Sequence, residues 1–167
     1  MLVNEIPKYD VRDNPTGCCP RFQPGPWEDQ ELHFDKKRFV RASTVSVFHV
    51  PLNMGSVFAR TQAAIAREHA QSGALLVLSR DDSAWHAEHL FAVDHDVPGA
   101  EMVSLSGTFL THVFEGPFSD TPKWCAELER IAREKGRKVE AIYYFYTTCP
   151  KCSGVYGKNY VVGLAKV

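Results

Sequence analysis

The sequence lacks three features that would assign the protein to a specialised class. Its formal net charge is only −1, and its 19 Lys and Arg residues are spread along the chain. Because nucleic-acid binding requires a concentrated cationic surface, we expect no nucleic-acid partner. No apolar run approaches the ~20 residues of a membrane span, so we expect no membrane segment. The N-terminus does not combine a basic region with an apolar stretch, so we expect no signal peptide.

The overall composition is that of an ordinary soluble domain. The 167 residues are 44% hydrophobic and 23% charged. A chain of this length suits one domain and can bury ~70% of its unfolded surface. We therefore expect a cytoplasmic protein whose five cysteines stay reduced or bind metal rather than form disulfides.

Residues 1–30 are predicted to form an irregular N-terminal arm. Prolines at this density disfavour both helices and sheet ladders, and Phe22 and Trp27 would anchor the arm on the body of the protein. The remaining residues, 31–167, are predicted to form a single domain.

The pattern of this domain predicts two β-α-β-β units, at about 38–98 and 100–167. The predicted elements are a hairpin over 31–50, a helix opened by Asn53 and ended by Gly73, strands near 75–79 and 85–93, a strand over 102–114, a helix opened by Thr121-Pro122 and ended by Gly136, and strands near 139–147 and 159–166.

The two units align without a gap. Residues 48–51 fall on residues 114–117, so that Pro51 and Pro117 coincide, and Ile-Ala-Arg-Glu occurs identically at 65–68 and at 131–134. We therefore predict an α+β fold built by duplication, with the two units related by a pseudo-two-fold axis.

The second unit resembles the GyrI-like domain, the small-molecule-binding module that also forms the effector-binding domain of multidrug-responsive transcription regulators. The resemblance covers roughly residues 38–167, and its most specific mark is the strand-to-helix junction Gly116-Pro117-Phe118, followed by a strand that ends in Tyr144-x-Tyr146. It implies a curved antiparallel sheet of duplicated β-α-β-β units backed by two helices. Because some stand-alone GyrI-like proteins hydrolyse strained, DNA-alkylating natural products, the resemblance also allows a hydrolase.

The chain departs from the GyrI-like pattern at two places. Tyr144 and Tyr146 stand in the strand where the family usually carries a glutamate, so the family's acidic drug-binding residue is not carried over. The family also generally lacks the Cys149-Pro150-Lys151-Cys152 motif. No helix-turn-helix precedes the domain in this sequence, which indicates a stand-alone form.

The cysteines are the first group that could carry chemistry. Cys149 and Cys152 have the spacing of zinc knuckles, in which both thiolates face one tetrahedral ion. Cys18 and Cys19 would complete the site if the arm crosses this segment; because adjacent cysteines chelate one ion poorly, Cys19 with a histidine is an alternative. A redox dithiol is a second interpretation, weakened because such motifs open helices and this one is predicted to join strands. Two structural cysteines in a tight turn are the third.

His49 and Glu115 are the second group. The duplication makes them equivalent positions at strand ends, where a cleft near the pseudo-two-fold axis would lie. An imidazole and a carboxylate across one cleft can share general acid–base work on water or a ligand. Hydrogen bonding to a neighbouring loop is the alternative role.

Aromatic residues form the third group. Tyr144 and Tyr146 alternate onto one face of a strand, and Trp85, Tyr156 and Tyr160 are predicted to join them. Such a cleft suits a flat, hydrophobic or cationic organic ligand. The alternative is that these rings fill the core of the sheet.

Two weaker patterns are interpreted as non-functional. His86 and His89 would face opposite sides of a strand, so we expect both to be solvated. Gly154, Gly157 and Lys158 resemble a phosphate loop only loosely, because no helix is predicted to follow them.

These features predict a stand-alone small-molecule-binding protein for an aromatic or drug-like compound, with hydrolysis of a reactive electrophile as an extension in which Glu115 activates water. The alternatives are a zinc-binding or redox thiol protein built on Cys149 and Cys152 with Cys18 and Cys19, and an adaptor that binds another protein. The sequence does not indicate an oligomeric state.

Overall fold

The computed structural model describes residues 2–71 and 75–167, which form two compact units. The terminal unit combines the N-terminal residues up to Asp35 with Gly107–Val167, and the central unit is Lys36–Ser106. The elements in chain order are β1 (Glu31–Val47), β2 (Val50–Pro51), α1 (Met54–Arg67), β3 (Val77–Ser83), β4 (His86–Ala92), β5 (Glu101–Glu115), α2 (Thr121–Glu134), β6 (Ala141–Tyr146), α3 (Pro150–Tyr156) and β7 (Tyr160–Lys166).

The central unit is an antiparallel sheet with α1 packed on one side. Its strands run in the order β2, β1, β4, β3. Val40 of β1 is the register partner of Phe91 of β4, and Phe91 is also the partner of Val77 of β3. Ile65 of α1 is buried against this apolar row, together with Val93. Burial of such aliphatic and aromatic side chains is what holds the helix on the sheet.

The terminal unit repeats this arrangement with α2. Its strands run in the order β6, β7, β5. Trp124 of α2 stacks on Phe114 of β5, with the ring centroids 5.2 Å apart. Leu128, one turn later, is fully buried above Gly163 of β7, where an added Cβ would lie 2.7 Å from the Leu128 Cδ1 atom. Gly163 therefore permits the close approach of the helix to the sheet.

The predicted α+β class and the duplicated β-α-β-β order are confirmed. In the central unit β4 pairs with both β1 and β3. In the terminal unit β7 pairs in the same way with both β5 and β6. The units differ in one connection. Two residues join β3 to β4, whereas residues 147–159 join β6 to β7 and contain α3.

The sequence predicted that the Cys149–Cys152 motif forms a simple turn between two strands. In the structure this motif instead begins the helix α3. Cys149 is the N-cap of α3, and Pro150 occupies the first helical position, where its fixed φ favours a helix and its missing N–H is not needed. Gly157 ends the helix with a φ of +68°, which glycine adopts without a steric penalty. The expectation that this motif does not open a helix is wrong.

Two further predictions in the central part of the chain need correction. The hairpin predicted over 31–50 was expected to turn at the polar residues 35–37, but β1 runs without a break from Glu31 to Val47. The tight turn lies instead at Phe48 and His49, which both have positive φ and join β1 to β2. The helix α1 ends at Arg67, and Gly73, the predicted stop, lies outside the described residues.

Candidate functional site

Four cysteines converge at one edge of the terminal unit. Cys149 and Cys152 lie at the start of α3, and Cys18 and Cys19 lie in the N-terminal arm. The four Sγ atoms all lie within 4.8 Å of one another, and those of Cys18 and Cys19 are 3.6 Å apart. All five cysteines of the chain are free thiols, and the fifth, Cys125, lies on α2. The structure thus brings together the four cysteines that the sequence singled out.

Thr16 fixes the turn of the arm that carries two of these cysteines. Its hydroxyl oxygen accepts hydrogen bonds from the backbone N–H groups of Cys18 and Cys19, at 3.3 and 3.4 Å. The same hydroxyl lies 3.3 Å from the Cys152 Sγ atom and 3.1 Å from the Tyr156 hydroxyl oxygen. One side chain therefore links the arm to both ends of α3.

The four thiols have unequal environments. The hydrogen bond with Thr16 lowers the pKa of Cys152 to about 7, whereas burial raises the pKa of Cys19 to about 12. The backbone N–H of Cys149 donates to the Cys19 Sγ atom at 3.4 Å. Cys152 therefore ionises more readily than Cys19, and the thiolate is the reactive and metal-binding form of cysteine.

A cavity of about 180 Å³ adjoins the cysteine cluster. The Tyr156 hydroxyl donates to the backbone carbonyl oxygen of Cys19 at 2.6 Å, which connects the cluster to the cavity wall. The Arg21 guanidinium lies over the Tyr156 ring, 4.8 Å from its centroid. The cavity is lined by the arm, by α3 and its flanking segments, and by the start of β7. The lining residues are Arg21, Phe22, Thr148, Tyr156, Lys158 and Tyr160.

Thr148 lines this cavity, and its own hydroxyl oxygen is buried. Its side chain is only 6% exposed, and its Oγ1 atom has no hydrogen-bond partner among the described residues. A buried polar atom without a partner costs about 1–3 kcal/mol, so this hydroxyl lowers the stability of the fold beside the cavity.

Glu115 lies beside two of the lining residues. Its Oε1 atom is 3.2 Å from the Lys158 Nζ atom, and Tyr160 is its register partner across β5 and β7. The hydrogen bond with Glu115 raises the pKa of Lys158, which therefore stays protonated. The structure thus brings together Glu115, Tyr156 and Tyr160 of the predicted site residues.

Tyr144 and Tyr146 lie on the other face of the same sheet. Directly paired residues of antiparallel strands share a face, and Val161 pairs with both Phe114 and Tyr146 on the side that α2 covers. Glu115 and Tyr160, one residue further along their strands, therefore face the opposite side. The structure separates the predicted tyrosine pair from Glu115.

The tyrosine pair belongs to a row of rings beside the start of α2. Tyr144 is buried next to Trp124, and its hydroxyl donates to the Thr121 carbonyl oxygen at 3.4 Å. Tyr146 contacts Tyr144 and also Phe118, with ring centroids 6.2 and 5.1 Å apart. Tyr146 is 37% exposed and Phe118 is 44% exposed. Sequence analysis missed Phe118 as a ligand candidate, although it follows the Gly-Pro junction that carries the family resemblance.

His49 and Trp85 belong to the central unit. The His49 Nδ1 atom lies 2.8 Å from the Asp81 Oδ2 atom, and both side chains are exposed. Trp85 is 54% exposed and packs on Phe48, with the ring centroids 4.9 Å apart. The imidazole therefore has a carboxylate partner within its own unit.

The expectation that His86 and His89 are both solvated is wrong for His89. This side chain is 1% exposed, because β4 is an inner strand of its sheet and Phe58 of α1 covers the ring. Its ring nitrogens bond to the hydroxyl groups of Ser79 and Thr44, at 2.7 and 2.9 Å. Burial lowers the pKa of His89 to about 4, so the ring is neutral at pH 7.

A second group of potential ligands lies near the end of the arm. The His112 Nδ1 atom is 3.0 Å from a Glu28 oxygen and 2.8 Å from an Asp29 oxygen. These contacts are those of an ordinary, partly exposed ion pair. The group therefore gives no indication of a metal beyond its residue types.

Comparison with protein-family models identifies the class of the protein. Residues 9–167 match the family described as bacterial hydrolase, and the chain belongs to this family. The resemblance to the GyrI-like domain stays a prediction. Curated proteins give no match.

Two solved structures share the fold. One is an uncharacterized conserved protein from Listeria innocua, which is 11% identical, with a TM-score of 0.59 over 83% of this chain and 91% of that chain. The other is a protein solved bound to tetraphenylphosphonium, which is 13% identical, with a TM-score of 0.50 over 84% of this chain and 93% of that chain. At these identities the similarity shows the fold alone. Within residues 2–71 and 75–167, no helix has the length and apolar character of a membrane span.

Proposed function

We propose that the protein binds a small organic molecule in the cavity beside α3 and hydrolyses it. The family description supports hydrolysis, and the observation that carries the location is the pair of Glu115 and Lys158, because Lys158 lines the cavity and holds the carboxylate beside it at 3.2 Å. A concave site with a few convergent polar groups and a nearby titratable residue is the expected form of an active site.

The cavity lining defines the class of ligand. Tyr160 and Phe22 offer aromatic surface. Arg21 and Lys158 add positive charge, which favours a ligand with a polar or anionic oxygen. The volume of about 180 Å³ is smaller than the roughly 300–1,000 Å³ of most ligand pockets. A compact molecule with one ring and an electrophilic carbonyl group fits these features best.

Glu115 is the group that would activate water. Its carboxylate would accept a proton from a water molecule while the water oxygen forms a bond to the electrophilic carbon of the ligand, and the leaving group would then depart with the bonding electron pair. Lys158, held by Glu115 at 3.2 Å, would stabilise the negative charge that develops on the ligand oxygen.

The test is hydrolysis of 4-nitrophenyl acetate, a compact ester with one ring. Replacement Glu115→Gln removes the base without changing the side-chain size and should lower kcat/KM by about 10²-fold or more. Glu140→Gln is the matched control, because Glu140 also pairs with a lysine, Lys166, at 2.9 Å and should leave the rate unchanged. Equal rates for wild-type protein and the Glu115 variant would contradict the proposal.

A second candidate site is the aromatic row of Phe118, Tyr146 and Tyr144. The exposed rings of Phe118 and Tyr146 favour it, as does the structural neighbour that was solved with tetraphenylphosphonium, a cation with four rings. Calorimetric titration with tetraphenylphosphonium distinguishes the two sites. Loss of binding in Tyr146→Ala but not in Tyr160→Ala would place this ligand class on the aromatic row, and the reverse pattern would place it at the cavity.

A further inference from the structure

We propose that Cys18, Cys19, Cys149 and Cys152 bind one Zn²⁺ ion, which fastens the N-terminal arm to α3. Thiolates are the ligands that select zinc, and a set of four leaves no open coordination position. Such a closed site has a structural role and does not bind substrate.

The positions of the sulfur atoms fit this ion. Four sulfur ligands at ~2.3 Å from a tetrahedral zinc ion lie about 3.8 Å from one another. The Sγ atoms of Cys18 and Cys19 are 3.6 Å apart, and all four Sγ atoms lie within 4.8 Å of one another. Adjacent cysteines are an unusual pair for one ion, but the arm turn directs both sulfur atoms to the cluster. Only small movements would complete a tetrahedron.

Groups around the cluster are suited to hold thiolates. The Cys149 N–H donates to the Cys19 Sγ atom at 3.4 Å, and the Thr16 hydroxyl lies 3.3 Å from the Cys152 Sγ atom. Hydrogen bonds of this kind orient the ligands of a metal and stabilise their charged form. Cys152 is buried and Cys149 and Cys19 are half-buried, so that solvent reaches mainly the Cys18 side.

The proposed ion would also fix one wall of the cavity. Arg21 and Phe22 line the cavity and follow Cys19 by two and three residues. This consequence, unlike the zinc site itself, rests on the proposed function. Metal content is measured without any substrate, so failure of one proposal does not imply failure of the other.

The first test is the metal content of protein purified with reductant and without chelators. We expect about one equivalent of zinc per chain for wild-type protein and for Cys125→Ser, which removes the cysteine outside the cluster. Cys149→Ser should lose stoichiometric zinc. Zinc retained in full by Cys149→Ser would overturn the assignment.

The second test uses the wild-type chain and does not depend on the folding of a variant. Titration of the reduced, metal-free protein with Co²⁺ should give a one-to-one complex with the visible absorption and the sulfur-to-cobalt charge transfer of a tetrahedral thiolate site. Added Zn²⁺ should displace the cobalt. The proposal is overturned if neither ion binds while the cysteines titrate as free thiols, or if freshly isolated protein carries a disulfide within the cluster.

Discussion

Glu115 and Tyr160 are register partners at the end of the β5–β7 pair, which places a carboxylate and a phenol on one face of the terminal sheet. Tyr146 lies at the same end of the sheet but on the face covered by α2, because it pairs with Val161. This division separates two potential ligand surfaces. The Glu115 carboxylate lies on the face of the sheet that carries the cavity. The aromatic row of Phe118, Tyr146 and Tyr144 lies on the opposite face.

Thr148→Val is expected to have different effects on the free energy of unfolding and on the rate of hydrolysis. The native Oγ1 atom is buried without a partner among the described residues, so its replacement by a methyl group should leave the free energy of unfolding unchanged or raise it by about 1 kcal/mol. Hydrolysis of 4-nitrophenyl acetate should be nearly unchanged, because the buried hydroxyl oxygen is shielded from the cavity. Denaturant unfolding and steady-state kinetics measure the two effects.

Thr111→Val is the matched control for that variant. The Thr111 hydroxyl donates to the Trp27 carbonyl oxygen at 2.6 Å and accepts from the Gln30 N–H at 2.9 Å. Its removal should lower the free energy of unfolding by about 1–3 kcal/mol. Equal destabilisation by both substitutions would mean that Thr148 also has a structural partner.

Gly163→Ala should destabilise the terminal unit. The added Cβ would lie 2.7 Å from a Leu128 methyl carbon and 2.9 Å from the Phe114 ring, so the helix and sheet would have to move apart at a cost of about 1–3 kcal/mol. Gly154→Ala, within α3, meets no atom within 4 Å and should stabilise the protein by about 0.5–1 kcal/mol. Thermal unfolding of both variants measures whether Gly163→Ala is less stable than Gly154→Ala. Equal stability of the two variants would mean that α2 packs less closely on β7.

His89 should make the protein less stable at acidic pH. The pKa of its ring is about 4 in the folded state and about 6.5 in the unfolded state, so the unfolded state binds more protons between these values. The neutral ring makes its full contribution to the free energy of unfolding above pH 6.5. This contribution decreases as the pH falls toward 4, and the total loss is up to about 3 kcal/mol. Urea unfolding between pH 7 and pH 4 measures this loss.

Two histidine variants identify the source of the pH dependence. His89→Gln should be less stable at pH 7 but should show a smaller loss on acidification. His95→Gln changes an exposed histidine that does not contribute to the pKa shift of His89, and it controls for the loss of a histidine as such. Identical profiles for all three proteins would exclude His89 as the source.

The sequence predicted the repeated units because their signals are local. Pro51 and Pro117 end strands in both copies, and the Ile-Ala-Arg-Glu identity fixes the alignment of the helices. The spacing of Cys149 and Cys152 indicated half of a metal site, and the sequence offered Cys18 and Cys19 as the other half only on the condition that the arm crosses this segment. The prediction of the repeated units and of the cysteine group did not require knowledge of which face of each strand is buried.

Other features depend on tertiary packing that a sequence pattern does not contain. Tyr143, Tyr144 and Phe145 are consecutive and all buried, so alternation could not tell which face of β6 meets α2. His89 is polar, and its burial depends on hydroxyl partners from two neighbouring strands. The helix α3 is only 7 residues long, too short for a periodic pattern to predict it.

Removal of zinc should release the arm. The proposed ion holds Cys18 and Cys19, so cleavage by trypsin after Arg21 should be faster in metal-free protein than in zinc-loaded protein. Cleavage after Arg137, in the exposed segment that follows α2, serves as the control and should not change. Mass spectrometry of timed digests measures both rates, and an unchanged rate after Arg21 would show that the arm does not depend on metal.

The location of the ligand site is tested most directly by chemical-shift mapping. The ¹⁵N-labelled protein would be titrated with 4-nitrophenol, the aromatic product of the test ester, while amide signals are followed. We predict shifts centred on Thr148, Tyr156 and Tyr160. Shifts confined to Phe118 and Tyr146, or no saturable shift in the segment from Thr148 to Tyr160, would contradict the cavity as the site of binding and hydrolysis.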